Sequence, residues 1–537
     1  MNQHALPTSI AVGQLKTAYD EVPYTSHPFP LSAPEHLAAV AHLFGLATPS
    51  VASARVLELG CSSGGNLVPF AARTPGARAL GIDLSGVQIG LGKKRIEALH
   101  LSNIELREGD LSALDLKGLG TFDYIICHGV FSWVPAHVQD AILRICRENL
   151  APNGIAYVSY NTYPGWKAKE IIRDAMMLRG GPRATPSERL SYAKGMLDFL
   201  EQVAPKDSIL SKTLDVTLPE LRRQEDYYLS HEYLEPFNSP CYFQEFVERA
   251  GSYGLCYLAE AQSSIMFASN YGEDVAKPLL RECGHSQVLI EQYLDFIVNR
   301  TFRQTLLVHC ERRRDIRYRL DGERFRDFHF AAYLPCVGDK TSLDDSAQTY
   351  GTTGASITTR LPEVKAALET LSAAWPDTVS YCDLLQGVSE RCASAGIDAA
   401  AGVCNDLLET LVIRGWARIR LSPVVVSPAD ELIEVDETIR RAAEISRSEG
   451  KAMTFNAWHE PVPLGVVESW LLPELDGTRD RAALIDSLER CVQEGKVAFE
   501  RQGNRIVEPL KIRECAAEHV EGMIATLAAR KLLRLSL

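Results

Sequence analysis

Short apolar segments alternate with longer amphipathic segments along the chain from residue 54 to residue 161. Short apolar runs predict buried strands, and longer stretches with apolar residues at helical spacing predict helices. Strands are predicted over 55–59, 77–84, 104–109, 122–130 and 154–161, and helices over 66–72, 85–99 and 135–149. This alternation is typical of an α/β fold, in which helices cover both faces of a parallel sheet.

A glycine-rich turn follows the first predicted strand, in the segment VLELGCSSGGN at 56–66. Glycines at such a turn let a ligand lie against bare main chain, and a carboxylate beside them favours the ammonium of S-adenosylmethionine (SAM). A dinucleotide site would need a third glycine at position 62, which is Ser62. The turn therefore favours SAM. The candidate cofactor contacts here are Glu58, Gly60, Ser62, Gly64 and Asn66.

Acidic residues end the next two predicted strands. Asp83, at the tip of the second strand, is placed to accept hydrogen bonds from a ribose diol. Asp110 follows the third strand, at a position that suits the edge of an adenine. Leu84 and Leu111, which follow these two acids, complete this part of the candidate cofactor site.

The pattern after residue 241 predicts a helix over 242–250 and strands over 254–260 and 303–309. This ending would complete the Rossmann-like, seven-stranded sheet of a class I SAM methyltransferase, with an antiparallel final pair. The predicted methyltransferase domain is then 51–312, preceded by an arm over 1–50 that caps the active site. An insertion over about 163–241 would hang above the active-site edge. The alternative is a separate small domain over 242–310.

The length, charge and cysteine content limit the number of domains and the kinds of partner that this chain is expected to have. A chain of 537 residues suggests about three domains. Its net charge of −13 argues against nucleic acid as a partner, because phosphates require a basic surface. Thirteen cysteines without a CxxC pair predict reduced thiols in a cytoplasm and no metal site. We expect no signal peptide and no association with a membrane, since no apolar run approaches the ~20 residues that span a bilayer.

In the C-terminal half, the segment 471–488 carries no catalytic cluster. A linker is expected over 313–354, including the polar, glycine-rich stretch 342–354. Three short helices and a strand over 362–421 predict a winged-helix-like unit at 355–430. Similar apolar spacing before a closing strand, at 407–414 and again at 523–530, predicts a second, mostly helical unit of this kind at 431–537. Acidity disfavours DNA, so these units are expected to dock protein or to form a homodimer.

Several segments together carry a family resemblance. They are YDEVPY at 19–24 with Phe29 following, the glycine turn at 58–66, HGVFSWVP at 128–135, YNTYPGW at 160–166 and HEYLE at 231–235. On these segments the chain resembles the rickettsial-type protein lysine methyltransferases that carry a methyltransferase regulatory domain. The resemblance implies a SAM-dependent transferase and, for characterised members, N-methylation of lysines on a bacterial outer membrane protein. It also suggests Tyr19 as a cofactor contact.

A lysine acceptor constrains the chemistry of the site. With a pKa of ~10.4, about one lysine amine in a thousand is neutral at neutral pH. A low-dielectric channel disfavours the ammonium, and aromatic walls still attract the cation. The candidates for such walls are Tyr19, Tyr24, Trp133, Tyr160, Tyr163 and Trp166.

Some of these candidates have structural alternatives. Tyr160 is equally consistent with the core, and Trp166 with packing at a helix start. His128, where the fourth strand leaves the sheet, is expected either to touch ligand or to be a satisfied structural histidine. Asn161 could position an amine through its carbonyl oxygen, and Glu232 and Glu235 could steer a basic substrate.

The predicted activity is methyl transfer from SAM to a nitrogen acceptor, with a lysine of a protein as the favoured acceptor. A methyltransferase for a small molecule is the second hypothesis, and a SAM-binding scaffold without turnover is the third. A long open groove would favour a protein acceptor, and a sealed chamber would favour a small molecule.

Overall fold

The computed structural model describes residues 26–180, 185–223, 226–338, 340–398, 401–501 and 503–534, together with Gly13, Lys16, Thr17, Asp20 and Tyr24. Seven strands of this chain form one sheet. They are β1 (Arg55–Leu59), β2 (Arg78–Asp83), β3 (Ile104–Glu108), β4 (Phe122–Cys127), β5 (Leu150–Asn161), β6 (Leu255–Glu260) and β7 (Phe302–His309).

The strand order in this sheet is β3-β2-β1-β4-β5-β7-β6. The first five strands pair in parallel, whereas β7 runs antiparallel to both β5 and β6. The predicted Rossmann-like sheet with an antiparallel final pair is confirmed. The alternative of a separate small domain over 242–310 is wrong, because β7 lies between β5 and β6 in the same sheet.

Helices cover both faces of the sheet. Val56 and Leu57 of β1 belong to apolar clusters on opposite faces, since successive strand residues point to opposite sides. Both side chains are fully buried. The helices of this part of the chain are α1 (Pro34–Leu43), α2 (Leu67–Arg73), α3 (Gly86–Ala98), α4 (Ala136–Asn149), α9 (Phe243–Ser252), α10 (Glu273–Cys283) and α11 (Gln287–Val298).

Four further helices lie between β5 and α9. They are α5 (Gly165–Gly180), α6 (Pro186–Val203), α7 (Ile209–Leu221) and α8 (Asp226–Tyr233). Their apolar faces form a small core of their own, which includes Ile172, Met176, Leu197 and Leu218. This helical group brings the end of α8 to the carboxyl edge of the sheet.

The structure differs from the sequence expectation over 313–354, where a linker was expected. Phe325, Phe328 and Phe330 are all buried, and they anchor this stretch in the main apolar cluster. The stretch contains β8 (His329–Ala331) and β9 (Gln348–Thr352), and β9 forms a hairpin with β10 (Ala355–Thr359). Strand β8 pairs with β11 (Val379–Ser380) and β12 (Arg418–Arg420). The residues around these phenylalanines are polar, so the sequence pattern did not indicate a folded segment. The burial of the aromatic side chains makes it part of the fold.

The C-terminal half forms two groups of helices and short strands. The first contains α12 (Pro362–Ala374), α13 (Tyr381–Ser394) and α14 (Ala401–Arg414) around β8, β11 and β12. The second contains α15 (Glu437–Ser448), α16 (Val466–Leu471), α17 (Arg481–Gln493) and α18 (Pro509–Ala529), with hairpins β13 (Met453–Phe455) to β14 (Pro461–Pro463) and β15 (Glu500–Arg501) to β16 (Asn504–Arg505).

A buried ion cluster joins α11 to the antiparallel end of the sheet. The guanidinium of Arg303 in β7 donates both Nε–H and Nη2–H to Asp295, at 2.8 and 2.9 Å. Its Nη1 donates to Glu260 at 2.8 Å and to Glu291 at 3.0 Å. All four side chains are at most 1 % exposed. This cluster fixes the start of β7 and therefore the position of Phe302.

Replacing Arg303 by Met is expected to lower the free energy of unfolding by about 3–5 kcal/mol, because three buried carboxyl groups would lose their shared cation. Urea denaturation followed by circular dichroism measures this. Arg391→Met is the control, since the Arg391–Glu369 pair is exposed to solvent and is worth about 0–1 kcal/mol. Equal losses for the two variants would contradict the importance of the cluster.

Candidate active site

A cavity of about 220 Å³ lies at the carboxyl ends of β1, β2 and β4. Ligands of open α/β sheets bind at this edge. Many of the residues predicted from the sequence line it together: Tyr24, Glu58, Gly60, Ser62, Asn66, Asp83, Leu84, Asp110, Leu111, His128, Trp133 and Asn161. The cavity is therefore the meeting point of the sequence motifs.

Two glycines of the turn after β1 let other parts of the chain come close. Gly60 has φ +78°, and a Cβ added there would lie 2.3 Å from Cγ2 of Val130. A Cβ on Gly65 would lie 2.4 Å from the main chain of Ser26, whose hydroxyl accepts the Gly65 N–H at 2.7 Å. The sequence suggested that a side chain at Gly60 would fill the space of the ligand. In the structure it would first collide with Val130 of the protein itself.

Glu58 is the most unusual group of the cavity. The residue is 3 % exposed, and one carboxyl oxygen accepts Nδ2–H of Asn66 at 2.9 Å. The second oxygen has no hydrogen-bond partner in the described part of the chain. Burial raises the pKa of Glu58 to about 8. A buried carboxyl group in a ligand cavity with unused acceptor capacity fits the ammonium of SAM.

Backbone donors hold the two aspartates in place. Asp83 accepts the N–H groups of Ser62 at 2.7 Å and Ser85 at 2.9 Å. Burial raises the pKa of Asp83, and these backbone hydrogen bonds oppose the shift. Asp110 accepts both the N–H and the hydroxyl of Ser112, at 2.8 and 2.7 Å. An ionised carboxylate has about four acceptor sites, so each group keeps acceptor capacity beyond these two hydrogen bonds and fits the polar edges of a nucleoside.

His128 lies in the cavity wall at the end of β4. Its Nδ1 is 2.7 Å from the hydroxyl of Tyr157, and its ring is 3.7 Å from the ring of Phe29. Burial lowers the pKa of His128 to about 3. The imidazole is therefore neutral at neutral pH and places no positive charge beside a cationic ligand.

Four residues predicted as cofactor contacts or aromatic walls lie outside the cavity wall: Gly64, Tyr160, Tyr163 and Trp166. The hydroxyl of Tyr163 donates to Glu170 in α5 at 2.7 Å. Tyr160 points into the core, where it stacks on Phe246 with 4.0 Å between ring centroids. Trp166 is buried behind Trp133, with 6.1 Å between centroids, so it supports the wall from outside. Gly64 faces Leu106, which lies 3.1 Å from the position of an added Cβ. Tyr19 lies outside the described residues.

Other wall residues were missing from the predicted site. Phe302 comes from the first position of β7 and Gln88 from the first turn of α3, where its side-chain oxygen accepts the hydroxyl of Ser62. Of the two acids expected to steer a basic substrate, Glu232 of α8 lines the cavity. Glu235 is buried beside α5. Phe302 is adjacent to β5 only because β7 pairs with it, so no local pattern could have placed it.

Comparison with known proteins identifies the class first. Residues 56–154 match the family model described as a methyltransferase domain. Residues 225–309 match the predicted methyltransferase regulatory domain, and 438–532 match the PKMT C-terminal winged helix domain. Together, the match to the methyltransferase domain and the cavity that fits SAM show that the chain is a SAM-dependent methyltransferase.

Full-length relatives then identify the family. The chain is 33 % identical to the uncharacterized protein RP789 of Rickettsia prowazekii over 92 % of this chain and 90 % of that protein. It is 40 % identical to RP028 of the same organism over 44 % of this chain and 94 % of that protein. The structure of PKMT2 from Rickettsia typhi in complex with AdoHcy (S-adenosylhomocysteine) superposes with a TM-score of 0.83 at 28 % identity, covering 95 % of this chain and 99 % of the other. The chain belongs to the rickettsial-type protein lysine methyltransferase family.

Two kinds of feature are absent from the described residues. These residues contain no group of three or more His, Cys, Asp or Glu side chains arranged for a metal ion. In the same residues no helix is both long enough and apolar enough to cross a bilayer.

Replacing Gly60 by Val is expected to abolish measurable binding of SAM, because the new side chain would displace Val130 and keep an unfavourable positive φ. Isothermal titration calorimetry measures the affinity. Gly90→Val is the matched control, since Gly90 in α3 has open space around it. Normal affinity in the Gly60 variant would refute the assignment of the loop.

Affinity for SAM is expected to increase as the pH rises from 6 to 8. Glu58, with a pKa of about 8, is protonated at the lower pH, and the ammonium of SAM binds the ionised form. Binding therefore releases a proton, and Kd falls by up to about tenfold per pH unit. Calorimetry at several pH values measures this. Glu58→Gln should bind weakly with little pH dependence, and a steep profile in that variant would contradict the assignment.

Proposed function

We propose that the protein transfers methyl groups from SAM to the amino groups of lysine side chains in a bacterial protein. The charge of the cavity carries this proposal. Among the described residues its wall contains the carboxyl groups of Glu58, Asp83, Asp110 and Glu232, and no lysine or arginine. Such a wall attracts two cations, the cofactor and a protonated amine, and disfavours an acidic acceptor.

The wall beyond the cofactor loop is suited to an amine. Trp133 and Phe302 contribute aromatic faces there, which attract a cation while keeping the local dielectric low. Asn161 donates Nδ2–H to Asn238 at 2.9 Å, which leaves its own carbonyl oxygen as an acceptor for an amine N–H. When bound, SAM supplies an electrophilic methyl carbon. The residues of this chain hold the acceptor nitrogen near it, and the low dielectric beside Trp133 and Phe302 favours the loss of its proton before transfer.

Family membership supports a protein acceptor. The resemblance implies that characterised members methylate lysines of an outer membrane protein. The proposed substrate includes such a protein, methylated in the cytoplasm before it is exported. The two C-terminal groups of helices would recruit this substrate or a second copy of the chain.

The test is transfer of a radiolabelled methyl group from SAM to fractionated bacterial protein, followed by mass spectrometry of the labelled residue. We expect label on lysine. Small amines and small carboxylic acids are tested in parallel. Label only on a small molecule would replace the proposal with a metabolite methyltransferase, and binding without any turnover would indicate a scaffold.

A variant of the N-terminal arm separates acceptor from cofactor contacts in the same assay. Tyr24→Ala should slow turnover by about tenfold or more while changing the Kd for SAM by less than about threefold, a difference of ~0.7 kcal/mol. Tyr24→Phe keeps the ring and should stay close to the unmodified protein. A larger effect on SAM binding than on turnover would place Tyr24 at the cofactor.

A further inference from the structure

A tight loop of the C-terminal half reaches the cofactor turn. It connects β13 to β14, within the residues that match the winged helix model. The side-chain oxygen of Asn456 accepts the N–H groups of Trp458 at 2.9 Å and Glu460 at 3.1 Å. Between them, His459 has φ +60°, a conformation that is uncommon for a residue other than glycine. The hydrogen bonds to Asn456 and this backbone conformation therefore hold His459 in one orientation.

Trp458 anchors the same loop. It is completely buried, and its indole N–H donates to the carbonyl of Pro376 at 2.9 Å. The guanidinium groups of Arg418 and Arg420 each lie 4.9 Å from its ring centroid. These contacts fix the loop on the preceding group of helices, so His459 does not depend on Asn66 for its position.

His459 contacts two residues of the methyltransferase domain. Its Nε2 is 2.8 Å from Oδ1 of Asn66, and its Nδ1 is 3.0 Å from a guanidinium nitrogen of Arg73. Oδ1 of Asn66 also accepts the backbone N–H of Phe29 at 2.9 Å. Because a backbone N–H can only donate, the oxygen of Asn66 faces it, and Nε2 of His459 carries the proton. Arg73 can only donate, so Nδ1 accepts.

This arrangement continues to the buried acid of the cofactor site. With its oxygen held by Phe29 and His459, Asn66 turns its Nδ2–H toward Glu58. Four side chains, Arg73, His459, Asn66 and Glu58, thus form one directed chain of hydrogen bonds. Burial, together with the charges of Arg73 and Arg420, lowers the pKa of His459 well below its usual range, so the imidazole stays neutral as the chain requires.

We propose that His459 is a positioning residue for the cofactor site, and that the C-terminal winged-helix unit completes this site through it. Donation from His459 holds the amide of Asn66 in the orientation that donates to Glu58. That hydrogen bond favours the ionised carboxyl group, which binds the ammonium of SAM. The inference concerns cofactor binding alone and does not depend on the identity of the methyl acceptor.

The test compares two substitutions in the full-length protein. His459→Leu removes both hydrogen bonds, whereas His459→Gln can donate to Asn66 and accept from Arg73, and both variants keep a side chain at the strained backbone position. We expect His459→Leu to raise the Kd for S-adenosylhomocysteine by about tenfold, and His459→Gln by less than about threefold. In His459→Leu the midpoint of the pH dependence of Kd should move to higher pH, because the hydrogen bond from Asn66 that favours the ionised form of Glu58 would weaken. In His459→Gln it should stay in place.

Trp458→Phe is the matched structural control, since it removes the hydrogen bond to Pro376 without touching Asn66. It should lower the Tm and leave the pH midpoint unchanged. Three results would overturn the proposal: an unchanged Kd in His459→Leu, an equal loss in His459→Gln, or an equal shift of the midpoint in Trp458→Phe.

A measurement on the unsubstituted protein covers the case in which His459→Leu does not fold. Nitrogen-15 NMR of labelled histidine, assigned with the Gln variant, should show the Nε2–H tautomer of His459 at neutral pH. Its signal should shift when S-adenosylhomocysteine saturates the protein. A protonated imidazole, or a signal that does not shift when the ligand binds, would contradict the proposed role.

Discussion

The cofactor site depends on a carboxyl group that is taken out of water and left partly unsatisfied. Glu58 is buried at the end of β1, and one of its oxygens has no partner in the described chain. Such a group is costly in a folded protein unless a cation compensates it. The close approaches of Val130 to Gly60 and of Ser26 to Gly65 enclose the cavity beside it. The proposed contact with the ammonium of SAM, the predicted pH dependence of its affinity and the proposed role of Asn66 all rest on this one buried acid.

Two groups of acidic residues in this protein have opposite surroundings. At the antiparallel end of the sheet, Arg303 compensates Glu260, Glu291 and Asp295, which gives a rigid structural cluster. Across the cavity wall no arginine or lysine among the described residues compensates the acids. The first arrangement stabilises the protein, and the second leaves negative charge for ligands. The cavity wall and the ion cluster meet at the start of β7, where Phe302 of the wall precedes Arg303 of the cluster.

Much of the sheet could be predicted because its strands have local signals. Most strands of the first half contain an apolar run that ends at a glycine, an aspartate or a change of pattern, whereas β3 alternates apolar and charged residues. The observed bounds lie within four residues of the predicted ones. The segment 313–354 lacked such a signal. Its three buried phenylalanines stand among charged residues, so only their packing against other elements shows that the segment is folded.

By itself, the sequence determined the glycine turn, the acids at the strand ends and the class of cofactor, because these depend on residues that are neighbours in the chain. Only the tertiary structure decided which aromatic side chains face the cavity. Tyr160 and Trp166 belong to the same motif as Asn161, yet side-chain direction and packing turn them away from the wall. It also brought His459 to Asn66 across 393 positions of sequence. No periodicity encodes a contact of that length, because it arises where elements that are distant in the chain pack together.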